Sequence, residues 1–265
     1  TSGLAKADVS QSITVLGCGS LGSKIALHLG RAGFGNMSFV DNEALVPHNS
    51  ARHALLDYPN ALVPRRKADL MRSAFTQLSH AGARAFDLDA VTVLGDEAKF
   101  AEVVPQGTVL VLDATASLKV LAAQSSSHLL TNTGARLARA ALYGQGRCAV
   151  VALEGCQRLV TTDDLTALLF ERCRSDAVLR TALKGDSSEL TQVFVGDNCR
   201  SLTMPMSDAV VSRSAALLAM QIERWLVAGL PDSGQLGVGA QQSDGIGMTW
   251  TLVSQAATTV LPVQD

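Results

Sequence analysis

Residues 12–16 form a short apolar run that ends at a glycine, and the pattern then changes period. Leu21, Ile25 and Leu29 recur every fourth residue beside Gly22 and Ala26, which is the stripe of an amphipathic helix closing at Gly33. A second strand is expected over 36–41, introduced by the Gly35-Asn36 turn. After a loop punctuated by Pro47, Pro59 and Pro64, the pattern predicts a helix over 65–78, a third strand over 83–88 and a short helix over 96–104. The run Thr-Val-Leu-Val-Leu-Asp at 108–113 has the continuous apolar character of a central parallel strand buried on both faces.

The second half is less regular. Runs at 137–143 and 148–153 flank Gly144-Gln145-Gly146 and predict an antiparallel hairpin. Thr162 is placed to cap a helix reaching about Cys173, and 184–200 reads as a loop rich in Gly, Ser and Asp. Ser207 opens the longest helix, which ends near Gly229, and a glycine-rich linker (Gly234, Gly237, Gly239) leads to a last strand over 248–253. Strand, glycine turn, helix, strand at the start predicts an α/β fold: a Rossmann-like, doubly wound, mostly parallel sheet with an antiparallel C-terminal extension. With no repeat and no clean break, 1–265 reads as one domain, a nucleotide-binding half at 12–120 followed by a substrate-binding half at 121–265.

Composition narrows the function classes. The 265 residues are 47% hydrophobic, 17% charged and 4% aromatic, with a net charge of −2. That balance provides core material but no clustered basic surface for nucleic acid. No apolar run is long enough to cross a membrane, and the first eight residues lack the apolar region of a signal peptide. The missing initiator Met reads as a processed product or a fragment. The five cysteines form no CxxC pair, which predicts reduced thiols in a cytoplasmic protein without zinc.

Gly17, Gly19 and Gly22 make G-x-G-x-x-G at a strand-to-helix turn, where the backbone must approach a phosphate and the helix N-terminus favours its charge. Asp41 follows at the end of the next strand, where an acid binds ribose hydroxyls. These features fit NAD as well as ATP. Asp41 then begins Asp-Asn-Glu-Ala-Leu-Val-Pro-His-Asn-Ser-Ala-Arg-His, and Lys67 comes soon after. In this order and spacing, over about residues 12–120, the chain resembles the family of ThiF, MoeB, HesA and the ubiquitin-activating enzymes.

The resemblance implies ATP-dependent adenylation of the C-terminal carboxylate of a ubiquitin-like or sulfur-carrier protein. It implies that Asp41 holds the ribose and that Asn49, Arg52 and Lys67 contact the phosphates. Arg and Lys suit a transition state that builds negative charge on the α-phosphate and the departing pyrophosphate. A homodimer is implied as well, and so is a possible conjugating-enzyme-like partner.

Two departures stand out. Where many relatives carry a second, magnesium-binding acid after the central strand, this chain has Ala116, which leaves Asp113 as the Mg²⁺ ligand. The basic residue before Gly17 is Lys6, where family dimers often supply an arginine. Cys199, in Gly-Asp-Asn-Cys-Arg-Ser ahead of the long helix, matches the loop cysteine that takes the activated carboxylate in some relatives, and Arg200 beside it favours a thiolate. The remaining cysteines read as structural, and His53, which follows Arg52 and could touch phosphate, reads first as a loop histidine. The alternative is a catalytically degenerate adenylation domain that scaffolds a partner or binds nucleotide without turnover. A Rossmann oxidoreductase would share the glycine turn and Asp41, but no second constellation for hydride transfer is present.

Overall fold

Each strand of the first half is followed by a helix or loop that returns the chain in the same direction, so successive strands pair in parallel. The structure is a computed structural model that describes residues 9–49, 51–56, 63–184 and 206–256. Its eight strands form one sheet in the order β3-β2-β1-β4-β5-β6-β7-β8. β1 (Ser12–Leu16), β2 (Met37–Val40), β3 (Arg84–Phe86), β4 (Thr108–Asp113) and β5 (Arg136–Tyr143) run parallel. From β5 the chain turns back through β6 (Cys148–Leu153), β7 (Gly234–Gln241) and β8 (Met248–Gln255), all paired antiparallel. The chain winds outward from β1 to β3 and then returns to β4 on the other side of β1. The carboxyl ends of β1 and β4 therefore part around a crevice, the place where sheets of this kind bind ligands.

Strand alternation assigns the two faces. Ile13, Val15, Leu110, Leu112, Ala138 and Ala140 face α1 (Ser20–Arg31), α2 (Lys67–Gln77) and α9 (Asp208–Ala228) in one core. Leu16, Val111 and Leu137 point the other way, under α3 (Ala90–Gly95), α4 (Glu97–Val103), α5 (Leu118–Ser126) and α6 (His128–Asn132). Further along that face, α7 (Thr162–Ser175) and α8 (Ala177–Lys184) cover Val150, Ala152, Leu236 and Val238. No helix among the described residues is long and apolar enough to cross a membrane.

Most expected elements are present, with three differences. The helix cap lies one residue earlier than the sequence suggested: Thr161 accepts from the Asp164 N–H while the Asp164 carboxylate receives the Thr161 N–H, a capping box. The expected loop at 184–200 begins as the last residue of α8, and 185–200 lie outside the described residues. The expected glycine linker is instead strand β7. Its glycines make room for large neighbours: a Cβ on Gly237 would lie 2.6 Å from Cζ2 of Trp250, and one on Gly234 would lie 2.5 Å from a Val160 methyl. β7 is thus glycine-rich because Trp250 and Val160 occupy the space its side chains would take.

The seam between α5 and α7 is held by charge. Glu154 is fully buried, and its carboxylate accepts from Arg158 Nε at 2.8 Å, from Arg158 Nη2 at 3.2 Å and from the Thr162 N–H at 3.1 Å. Arg158 also donates to the carbonyls of Gln124 and Ser127. It does so from a left-handed backbone, φ 58°, that a non-glycine residue adopts only at a cost. Truncating one member of such a pair leaves the other buried and uncompensated. Glu154→Ala should therefore lower unfolding free energy by about 3–5 kcal/mol, and Arg158→Met in the same chain should recover part of the loss; chemical denaturation of both variants measures this.

Candidate functional site

The carboxyl end of β1 enters a turn that only glycines can make. Gly17 has φ +87° and donates its N–H to the Val40 carbonyl at 2.9 Å, while the Ala114 N–H returns to the Leu16 carbonyl at 2.9 Å. A Cβ on Gly22 would lie 2.0 Å from the Gly17 carbonyl oxygen, so α1 packs directly against the turn. Gly19 differs. Its φ of −72° suits any residue, and a Cβ there would meet nothing within 4 Å. The protein itself makes no demand for glycine at 19; open space beside the N-terminus of α1 is what its missing side chain leaves. That helix begins with no side-chain cap and no acid in its first turn, so its leading N–H groups and positive dipole end are left for an anion.

Asp41, just past β2, braces the turn. Its Oδ2 accepts the Cys18 N–H at 2.7 Å and its Oδ1 accepts the Glu43 N–H at 2.8 Å. Burial pushes its pKa up, against the pull of Lys67 and of those two N–H donors. The chain at 44–45 then pairs with 65–66: Ala44 bridges Arg66, and the Leu45 N–H reaches the Arg65 carbonyl. This pairing delivers Lys67, the first residue of α2, to Glu43. The Lys67 N–H donates to the Glu43 carbonyl, and its ammonium pairs closely with the Glu43 carboxylate. Lys67 is 5% exposed, a buried lysine held by a half-exposed acid.

The short helical turn Pro47–Asn49 brings up the other wall. Asn49 Oδ1 accepts the Val46 N–H, and the Asn49 carbonyl accepts from Arg52 and His53 N–H groups. Arg52 is half-buried on this turn. His53 is buried, with Nε2 at 2.7 Å from the Cys18 carbonyl and Nδ1 at 3.1 Å from the Leu55 N–H. A carbonyl only accepts, so the proton sits on Nε2, and the neutral ring takes the Leu55 N–H at Nδ1. Burial holds the His53 pKa below its ordinary value.

Gly19, Ser20, Glu43, Asn49, His53 and Lys67 together line a cavity of about 170 Å³. Pockets that enclose a whole drug-sized ligand run to about 300–1,000 Å³, so this one suits a phosphate-sized part of a larger molecule. A helix N-terminus, an ammonium and an amide around one small space are the groups that bind phosphate. Of the expected residues, the structure brings Gly19, Asn49 and Lys67 onto this cavity, with Gly17, Gly22 and Asp41 shaping it from behind and Arg52 on the adjoining turn. Glu43 and His53 are additional lining residues. Glu43 stands in the Asp-Asn-Glu run with nothing in the sequence to mark its partner; His53 offered only its place after Arg52.

Asp113 stands apart from the cavity lining. It ends β4, is 1% exposed, and its Oδ1 accepts both the N–H and the hydroxyl of Thr115. Ala116 is exposed with φ +54°, a conformation that Asp and Asn adopt more readily than alanine. Burial pushes the thiols of Cys18, Cys148 and Cys173 up, Cys148 to about 12, which leaves them protonated and inert. Cys199 lies outside the described residues. Among the described residues, no three His, Cys, Asp or Glu side chains gather as metal ligands.

Sheet order, glycine turn, the acid after the second strand and a phosphate-sized cavity define a Rossmann-like nucleotide-binding domain. The ThiF family model matches residues 2–221, and the chain belongs to that family. Members of the ThiF family are ATP-dependent adenylyltransferases. No curated protein matches the sequence. Among solved structures the chain is similar to PaaA, at 13% identity and a TM-score of 0.59, over 93% of this chain and 73% of that one. It is similar to E. coli MccB with AMPCPP and MccA, at 14% identity and a TM-score of 0.60, over 95% and 66% of the two chains. It is similar also to E. coli MccB with ATP, at 15% identity and a TM-score of 0.59, over 96% and 66%. At these identities the likeness is one of fold, and this chain spans about two thirds of the MccB length.

The two kinds of glycine separate by stability. Gly22→Ala should cost about 1–3 kcal/mol, because its Cβ has no room against backbone, whereas Gly19→Ala should cost less than about 1 kcal/mol, the loss of a preferred cap; thermal or denaturant unfolding distinguishes them. Stability should also depend on pH through His53. Because its folded pKa lies below the ordinary 6.5, the unfolded chain binds a proton the folded chain refuses. The contribution is complete above pH 6.5 and is lost as pH falls through the folded value. His28, whose pKa is lowered for the same main reason, adds to this slope. The measure is therefore the difference between wild type and His53→Gln across pH 7.5 to 5.5, with the variant less steep.

Proposed function

We propose that this chain uses ATP to adenylate the C-terminal carboxylate of a protein or peptide. The cavity walled by the α1 N-terminus, Asn49, His53 and the buried Lys67 carries the reading. It supplies an ammonium and N–H groups for phosphates, and Asp41, which holds the Cys18 N–H beside it, is the acid this reading assigns to the ribose. In the proposed reaction a substrate carboxylate oxygen attacks the α-phosphorus, the bond to the bridging oxygen breaks, and pyrophosphate leaves with the electron pair. A terminal carboxyl is ionised at neutral pH, so attack needs no general base. Catalysis then rests on holding two anions together and neutralising the charge that develops on pyrophosphate, the role assigned to Lys67, Asn49 and Arg52.

For Lys67 to act on phosphate it must exchange Glu43 for the ligand. A carboxylate half open to water is a tractable partner to displace, and it keeps the buried ammonium paired until ATP arrives. Asp41 is assigned to the ribose. Mg²⁺ bound with ATP would neutralise phosphate charge and would need only a single carboxylate from the chain. Asp113 is that residue in this reading, once its oxygen is shared or released by Thr115. The partner would be a protein or peptide with an exposed C-terminal tail. E. coli MccB has been crystallised with MccA, which supports that class over a ubiquitin-like fold in particular. Cys199 as a thioester acceptor and assembly as a homodimer belong to the same proposal.

ATP–pyrophosphate exchange tests the reaction. Exchange should require a substrate with a free C-terminal carboxylate and vanish when that terminus is amidated. Lys67→Ala should lower it by about 10²–10³, the scale of removing one preorganised charge-stabilising group. Cys199→Ala should leave exchange intact while abolishing any hydroxylamine-sensitive adduct. If neither MccA-like peptides nor ubiquitin-like proteins support exchange, the adenylation reading fails.

One observation favours a second reading, a site that binds ATP without turnover. Exposed Ala116 occupies a left-handed position that suits Asp, where an acid could reach a metal. In that case wild type binds ATP with no exchange, and Ala116→Asp restores measurable exchange.

A further inference from the structure

His53 connects two parts of the site that are far apart in the chain. His53 Nε2 donates to the Cys18 carbonyl, 35 residues away in the glycine turn, at 2.7 Å. The same Cys18 residue gives its N–H to Asp41 Oδ2, also at 2.7 Å. Both polar groups of Cys18 are therefore spoken for, one by the acid after β2 and one by the loop that follows Asn49. Beside this contact the Ala54 N–H donates to Ser23 Oγ at 3.3 Å, a second tie between that loop and α1.

A trans peptide is planar, with its C=O and the following N–H pointing in opposite directions. Fixing the Cys18 carbonyl on His53 therefore fixes the direction of the Gly19 N–H. That N–H has no protein acceptor among the described residues, and Gly19 lines the cavity where its Cβ would meet nothing. A glycine peptide without such a tether is free to rotate, since glycine accepts both signs of φ. The tether removes that freedom before a ligand arrives, which is how preorganisation raises affinity without an added contact.

We propose that His53 is a positioning residue that locks the Cys18–Gly19 peptide so that the Gly19 N–H is presented to a phosphate of the nucleotide. The inference rests on the nucleotide reading above and deepens it. His53 fits the task because it is buried and neutral: one nitrogen donates to Cys18 and the other accepts from Leu55, so neither is left wanting. Lys67 and Glu43 line the same cavity, the Asp41 carboxylate behind it also acts on the ring, and Arg52 is adjacent in the chain. A cationic ring there would add charge beside Lys67 and would turn Nδ1 from the Leu55 N–H to the Leu55 carbonyl, which also lies at 3.1 Å.

The effect should be confined to phosphate. Glutamine places its amide nitrogen near the position of Nε2 and can donate to Cys18; leucine cannot. Calorimetry with ATP and with adenosine, on the full chain, compares His53→Gln and His53→Leu with wild type. His53→Leu should weaken ATP roughly tenfold, the scale of one lost hydrogen bond in a preorganised site, while adenosine changes less than about twofold. His53→Gln should return ATP to within about threefold. Equal losses for ATP and adenosine, or an ATP affinity unchanged in the leucine variant, would overturn the assignment. Ring ¹⁵N spectra of the free wild-type protein provide a second readout that needs no nucleotide. They should show His53 as the neutral Nε2–H tautomer down to below pH 6.5; an Nδ1–H tautomer, or a ring that titrates at its ordinary value, would also overturn it. If wild type binds no nucleotide while the spectra show the locked tautomer, the nucleotide reading falls and so does the phosphate role, but the His53–Cys18 tether stands.

Discussion

The approach of α1 to the glycine turn sets the geometry of everything around it. With 2.0 Å between a Gly22 Cβ and the Gly17 oxygen, no side chain fits, and only its absence lets the helix start so close to the end of β1. Had the helix begun farther away, its N-terminal N–H groups would point into bulk water and not into a walled cavity. The same contact fixes where β4 may end. Thr115 packs against Gly17, with 2.9 Å from a Gly17 Cβ to Thr115 Cα, so the loop leaving Asp113 is pressed onto the turn. One steric constraint thus sets the helix start, the β1–β4 crevice and the placement of Asp113.

Around that fixed point the site is a set of mutual braces more than a row of independent ligands. Asp41 holds the Cys18 N–H, His53 holds the Cys18 carbonyl, and Glu43 holds Lys67. Each brace spans the gap between two loops, so the turn, the segment after β2 and the start of α2 form one rigid wall. This has an energetic consequence. A buried ammonium without a partner would be an uncompensated charge in the wall, and the Glu43 carboxylate compensates it. Lys67 is thus held in an ion pair with a half-exposed acid, the partner that a polyphosphate would replace in the proposed reaction.

How much of this was legible depended on whether the signal was local. β1, α1, β4 and the β5–β6 hairpin carried period and punctuation in their own residues, and they appear where the pattern put them. α5 and α6 did not: Leu-Lys-Val-Leu-Ala-Ala-Gln-Ser-Ser runs into Ser127 and a five-residue turn, with Leu118 exposed and no clean stripe. β7 was hidden because its glycines answer to Trp250 and Val160, neighbours that only the fold brings near. Within the site, Gly17, Gly22 and Asp41 were readable because turn chemistry demands their types. Glu43 and His53 were not, since a carboxylate or imidazole in a loop has no signature until its partner 24 or 35 residues away is known.

Ala116 shows the same division from the other side. The sequence marks it as the place where an acid is missing, and the backbone adds that the position is left-handed and exposed. A left-handed alanine costs roughly 1–2 kcal/mol that Asp or Asn partly avoids through local hydrogen bonds. The loop keeps this conformation even though alanine gains nothing from it. The reason lies in Asp113: its carboxylate takes the Thr115 N–H and hydroxyl, and Thr115 Oγ1 then accepts the Ser117 N–H at 3.2 Å, so residues on both sides of Ala116 are pinned. The turn is imposed by its flanks, and the residue at its tip can vary without moving it. The shape of this loop thus depends on the Asp113 carboxylate and the Thr115 hydroxyl, and not on the side chain at 116.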